Sequence, residues 1–263
     1  MKKNLFVPLI LFLFSIAAFS IPVFAQSIED ILENMIESQG GRTALQEIKD
    51  TTLIGFMEIV QMGLGGSLTT YQKEPDRLRM DAKVQGTWIT QAYDGEIAWM
   101  TNPITGAEEE MPEPMAKDFA RSALGNDALL HPEKYGISYT LEGKDVLEGK
   151  EYYFITQNFS DGFKAILAVD AETFLIYKTT TTAVNDAGGE SFVETVFSDY
   201  KKAGPVTLAH SMVTFQDGKE FMKMEITEVK FNTGLEDSFF KMKGANRPLP
   251  ASILSIPNRG GKL

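Results

Sequence analysis

Eight consecutive residues restrict the fold more than any other feature of this chain. Arg77-Leu78-Arg79-Met80-Asp81-Ala82-Lys83-Val84 alternates polar and apolar without interruption. A period of two over such a length marks a strand with one dry and one wet face. Leu78, Met80, Ala82 and Val84 share the dry face, and Arg77, Arg79, Asp81 and Lys83 the wet one. Gln85-Gly86 then turns the chain into a second strand over 87–93. Asp94-Gly95 predicts a tight hairpin of type I′, which takes positive φ at both central positions. A third strand over 96–101 carries Trp99 and stops at Asn102-Pro103. Three antiparallel strands in succession leave a continuous apolar face that something must cover.

The same grammar recurs along the chain. Further strands are expected over 51–60, 67–73, 137–141, 151–157, 163–169, 175–182, 191–200, 206–216 and 220–231. They are separated by turn sequences such as Ser160-Asp161-Gly162, Asn185-Asp186-Ala187-Gly188-Gly189 and Asp217-Gly218. In the last strand Met222, Met224 and Ile226 share a parity that Val229 and Phe231 break, which predicts a β-bulge near Thr227. The fold class is therefore mainly β (α+β), with about eleven or twelve antiparallel strands in one sheet that must curl around an apolar filling.

Helices supply that filling. Ser27 is an N-cap with Asp30 three residues on, and Ile28, Ile31, Leu32, Met35 and Ile36 make one apolar stripe that Gly40-Gly41 ends. A short helical piece over 43–48 follows. A third helix is expected over 114–124, with Met115, Phe119, Ala120 and Ala123 on one side. The acidic run Glu108-Glu109-Glu110 is expected to be a solvated loop, and 235–240 a short helical turn. There is no internal repeat, so 26–243 is expected to form one domain, and 244–263, rich in Pro, Gly, Asn and Lys, a loosely attached tail.

The first 25 residues have the makings of an export signal. Lys2 and Lys3 precede a hydrocarbon run from Leu5 to Phe19, and cleavage is expected after Ala25. The run is shorter than the ~20 residues of a membrane span. The chain has no cysteine, which excludes both disulfides and a lipidated N-terminal cysteine, and the expected location is the periplasm. Loss of Lys2 and Lys3 leaves 23 basic against 36 acidic residues, a charge of −13. Such a surface repels nucleic acid, and no nucleic-acid partner is expected.

Catalytic groups are scarce. The two histidines, His131 and His210, are not spaced as metal ligands, and no nucleophile elbow, phosphate loop or dinucleotide fingerprint is present. The expectation is a protein that is not an enzyme and uses no cofactor and no metal. Eleven methionines remain after cleavage, among them Met57, Met80, Met222 and Met224 at inward parity. Methionine suits both an adaptable core and a site for flexible apolar ligands, and its abundance fits either.

Three stretches carry a resemblance. Lys73-Glu74-Pro75-Asp76-Arg77-Leu78-Arg79-Met80, then Asp94-Gly95, Trp99 and Asn102-Pro103, resembles the LolA-like periplasmic lipoprotein carriers. The stretch from Ile36 to Ile48, and Val229-Lys230-Phe231-Asn232 followed by Asp237-Ser238-Phe239-Phe240, is similar to the outer membrane lipoprotein-sorting group of that superfamily. The resemblance implies an unclosed antiparallel β-barrel with helices as a lid over a hydrophobic cavity. It also implies a lipid or acylated lipoprotein as cargo, with membrane-protein donors or acceptors, for a monomeric carrier. The cavity wall is then Met57, Leu78, Met80, Trp99, Met222 and Met224. The lid is the third helix with Met115 and Phe119, and Gly63 to Gly66 form a flexible rim. One position departs from the pattern: Glu74 stands where the carriers have an arginine. The alternative is a non-catalytic interaction or sensor module that docks a partner through outward residues such as Arg77 and Arg79.

Overall fold

The computed structural model describes residues 26–184 and 189–243. The expected export signal, the expected tail over 244–263 and most of the turn expected at 185–189 lie outside the described residues.

Thirteen strands form one antiparallel sheet. The first meander is β1 (Asp50–Ile59), β2 (Leu64–Lys73), β3 (Arg77–Val84), β4 (Thr87–Tyr93), β5 (Ala98–Thr101) and β6 (Glu108–Glu110). The second is β7 (Ile137–Leu147), β8 (Lys150–Phe159), β9 (Lys164–Asp170), β10 (Ile176–Val184), β11 (Glu190–Ala203), β12 (Val206–Gln216) and β13 (Lys219–Phe231). β13 returns to pair with β1, so the order runs from β6 through β1 and β13 to β7, and β6 and β7 are left as the two edges. The barrel is unclosed, as the resemblance implies. The strand number exceeds the expected one because Glu108–Glu110 pairs with β5 as an edge strand instead of looping free. A charged edge is physically sound, since like charges there discourage pairing with other chains.

Helix α1 (Ile28–Ser38) starts on the expected capping box: the Asp30 N–H donates to Ser27 Oγ, and the Ser27 N–H to Asp30 Oδ2. Helix α2 (Arg42–Glu47) follows Gly41. Helices α3 (Glu113–Ser122) and α4 (Asn126–Leu130) connect β6 to β7, and α3 begins one residue before and ends two residues before the expected span.

Turn chemistry explains the registers. Gln85-Gly86, Glu148-Gly149 and Asp217-Gly218 all have positive φ at both residues, the type I′ geometry that follows the twist of the strands. Asp94-Gly95 does not adopt it. Only Gly95 has positive φ, and Asp94 Oδ1 instead accepts the N–H groups of Glu96 and Ile97 at 3.0 and 2.8 Å, giving a wider loop over 94–97. The bulge expected in the last strand is present: Ile54 faces Glu228 and Gly55 faces Ile226, which leaves Thr227 unpaired.

Both faces of the sheet carry cover. On the concave face α1 packs Ile31 and Met35 against Ile155, Leu167 and Val169. Ile36 with Leu45 and Ile48 of the α2 segment and Leu130 of α4 packs against Val206. On the convex face, the segment after β13 folds back over β2 to β5. Phe240 is fully buried there, and its carbonyl accepts the Trp99 Nε1–H at 2.7 Å.

Candidate functional site

The concave face beyond the helices is built from cross-strand neighbours. One row runs over six adjacent strands: Val84, Gly66, Met57, Met224, Met212 and Phe197, each the register partner of the next. The adjoining row runs Leu64, Ile59, Met222, Thr214, Thr195 and Thr179, and Thr195 Oγ1 lies 3.1 Å from Thr214 Oγ1. Met57, Met80 and Met224 pack against one small cluster, Leu68, Ala82 and Val84. The methionines are half-buried, so the face is apolar and still accessible.

Two glycines let neighbouring strands approach closely here. A Cβ on Gly55 would lie 1.9 Å from the Glu225 carbonyl oxygen, and one on Gly66 would lie 2.0 Å from that of Lys83. Only glycine allows backbones to approach so closely.

Of the expected wall residues, Met57, Leu78, Met80, Met222 and Met224 share this face. Trp99 does not. Register partners share a face, and Trp99 is partnered by Ala92 and Ala92 by Arg79, so the indole sits on the convex side with the arginine. There it is 1% exposed beneath the C-terminal turn. Parity counted through the two hairpins gives the same answer, whereas hydrophobicity alone drew Trp99 to the wrong side. Met212 and Met100, the latter reached from Met80 through Gln91, belong to the concave face and are found by the same count.

Arg77 and Arg79 are not free for docking. Arg79 donates to the Phe239 carbonyl at 2.9 Å, and its guanidinium carbon lies 4.4 Å from the Phe239 ring centroid. Arg77 and Lys73 both reach the Asp237 carboxylate, at 3.4 and 2.6 Å. All three therefore hold the C-terminal segment to the convex face. Asp50 completes that attachment from the head of β1. It accepts from the Thr233 N–H and hydroxyl at 2.7 and 2.8 Å, and from the Gly234 and Leu235 N–H groups at 2.9 and 3.3 Å. Burial alone would raise its pKa, but these hydrogen bonds outweigh it and hold the carboxyl below its ordinary value.

Glu74, at the position where the carriers have arginine, faces the α3–α4 junction. Its two oxygens accept the N–H groups of Asn126 and Asp127 at 2.8 and 3.1 Å. Gly125 makes room, since a Cβ there would stand 2.4 Å from the carboxylate. Burial raises the Glu74 pKa in spite of those two donors. Lys73 lies on the opposite side, where its Nζ donates to the Leu235 carbonyl and pairs with Asp237.

Helix α3 packs against β4 and β5 and reaches the far end of the sheet. Arg121 bonds to Asp118 and to Asp161 in the β8–β9 turn, and stacks over Phe163 at 4.2 Å. The Gln72 side chain donates to the carbonyls of Ala123 and Leu124 just beyond the helix. An open pocket of about 290 Å³ adjoins it, lined by Tyr93, Lys117, Arg121, Leu124, Tyr135 and Phe159. Met115 is exposed and Phe119 half-buried.

Among the described residues, no three or more His, Cys, Asp or Glu side chains gather as a metal-binding group. His131 lies 3.8 Å from Asp127, and His210 Nδ1 lies 3.1 Å from the Leu208 carbonyl. Among the described residues no helix is long and apolar enough to cross a membrane.

No protein-family model and no curated protein sequence matches the chain. Solved structures do. A DUF1329 family protein from Desulfovibrio piger matches with a TM-score of 0.58 and 16% identity, over 82% of this chain and 98% of that one. A LolA superfamily protein from Nitrosomonas europaea matches with a TM-score of 0.58 and 13% identity, again over 82% and 98%. A putative outer membrane lipoprotein-sorting protein domain from Vibrio parahaemolyticus gives 0.55 and 16%, over 80% and 95%. The chain thus has the fold of LolA superfamily and lipoprotein-sorting proteins.

Proposed function

We propose that this protein is a periplasmic carrier that shields acyl chains, of a lipid or an acylated lipoprotein, on the concave face of its sheet. The observation that carries the reading is the apolar row that starts at buried Val84 and runs half-buried from Gly66 to Phe197, continuous over six strands. Each buried methylene contributes ~0.8 kcal/mol, so roughly ten of them hold a chain at micromolar affinity without any polar recognition. Unbranched thioether side chains suit an acyl chain because they re-pack around different lengths and kinks. The fold shared with a putative lipoprotein-sorting domain supports the same reading. Helix α3 serves as the lid, with Met115 and Phe119 on it, and release goes to a membrane partner with a greasier site. The carrier acts as a monomer and needs no catalytic group.

Native mass spectrometry with solvent extraction tests this on protein purified from the periplasm. Phospholipid or acylated peptide at stoichiometric level is the expected result, and the two species distinguish lipid carriage from lipoprotein carriage. Met224→Glu places a charge in the row and should abolish binding of a fluorescent fatty acid. Clean protein that ignores the probe, or a folded Met224→Glu variant that binds it as tightly as the parent, would sink the proposal.

A further inference from the structure

The row of methionines offers a second chemistry that does not depend on acyl-chain binding. Met57, Met224 and Met212 are successive register partners on β1, β13 and β12, and Met222 stands two residues from Met224 on the same face. Neighbouring strands lie about 4.8 Å apart, and directly opposed Cβ atoms about 5 Å apart. Three rotatable bonds let each thioether sulfur lean by a few ångströms. Met80 stands apart, since its row runs through Thr70 to Leu53, four residues along β1 from Met57.

Two other donors share the face: the His210 imidazole two residues before Met212 on β12, and the Thr214 hydroxyl opposite Met222. The residues flanking these methionines along β1 and β13 are Glu58, Lys223 and Glu225. Their register partners put them on the convex side, with Glu58 opposite Lys223 and Phe56 opposite Glu225. The face thus offers a cluster of neutral sulfur ligands in a partly open setting, with a neutral imidazole beside it whose Nδ1 is turned to the Leu208 carbonyl. Such a set disfavours hard divalent ions, which want oxygen and charge, and suits a soft monovalent cation. Thioethers carry no proton to displace, and the chain holds no cysteine that would compete for the ion.

We infer that the concave methionines Met57, Met212, Met222 and Met224 form a thioether site for a soft monovalent metal ion, cuprous copper. The ion takes three or four sulfurs from adjacent strands, and binding involves no change of oxidation state. A bound acyl chain fills the same surface and excludes the ion.

Silver(I), a redox-inert stand-in, and copper(I) are titrated separately into the purified protein and followed by native mass spectrometry. Affinity for copper(I) is read by competition with a chromophoric chelator. One ion per chain is expected, with sulfur predominating among its near neighbours in X-ray absorption. Leucine keeps the apolar volume and removes only the sulfur. Met224→Leu and Met212→Leu should each weaken binding by about tenfold or more, the scale on which even a supporting group of a metal site acts. Met62→Leu, at an exposed position on the β1–β2 turn, should leave it unchanged. Thermal melts establish that each variant is folded, and the two single variants are read independently. Absence of an adduct, a near-neighbour shell made up mainly of nitrogen or oxygen, or an adduct indifferent to both leucine substitutions would overturn the assignment. The fatty-acid assay reads the carrier function separately, so either reading can fail alone.

Discussion

Replacing Asp50 by alanine should unfasten the C-terminal segment and cost the fold a measurable share of its stability. Asp50 is 4% exposed and accepts three backbone N–H groups and one hydroxyl from residues 233–235. The Thr233 and Gly234 N–H bonds are short and charge-assisted, whereas the Leu235 bond at 3.3 Å is weak. At about 1.5 kcal/mol for each of the two good bonds, the loss is about 3 kcal/mol. For a domain of this size that lowers Tm by roughly 6–12 °C. Circular dichroism melts at pH 7 measure it. The pH dependence is a second constraint. The carboxyl's pKa is depressed in the folded state, so its contribution is complete above the ordinary value of 3.8 and is lost as pH falls through the lower folded value. The denaturant midpoints of parent and variant should therefore converge in acid. A variant that melts within a degree of the parent at pH 7, or a gap that widens in acid, would refute this account of the clamp.

Two further outcomes follow from the helical side. Burial raises the Glu74 pKa, so the ionised carboxyl costs the folded state stability that is fully present below the ordinary value of 4.5 and lost as pH rises through the folded value. Glu74→Gln, followed by denaturant midpoints at pH 4 and pH 7, should gain relative to the parent on going to pH 7; a relative loss there would contradict the burial argument. Arg121→Ala removes exposed ion pairs and one cation–π contact, together about 1 kcal/mol. Global stability should hardly move, while hydrogen exchange in Glu113–Ser122 should rise; unchanged exchange would show that Arg121 does not hold the helix.

Much of this architecture is legible in the residues, and the failures have particular causes. The alternation of Arg77–Val84, the capping box at Ser27 and the bulge at Thr227 are local signals, and each appears where the pattern puts it. Glu108–Glu110 carries no such signal, because three like charges read as solvent-facing and the pairing comes only from β5 beside it. Asp94-Gly95 has the composition of a type I′ turn, but the Asp94 side chain competes by capping Glu96 and Ile97. Trp99 misleads for a reason of tertiary origin. A sheet with one covered face would put every large apolar side chain on it, but the chain returns after β13 and makes a second dry patch on the other side. Roles for Lys73, Asp50 and Arg79 rest on that return across a long stretch of sequence, which no local pattern encodes.

The order of the strands also bears on assembly. Each meander is made of neighbours in sequence, so its hairpins close over short loops and can form early. The ladder that joins β1 to β13 brings Thr51 to Phe231 and must wait for both halves. That seam runs through the middle of the sheet, while the covalent link between the halves, α3 with α4, passes outside it between the two edges. The molecule is thus two fans sewn along their first and last ribs. The backbone tether between them is distinct from the hydrogen bonds that unite them.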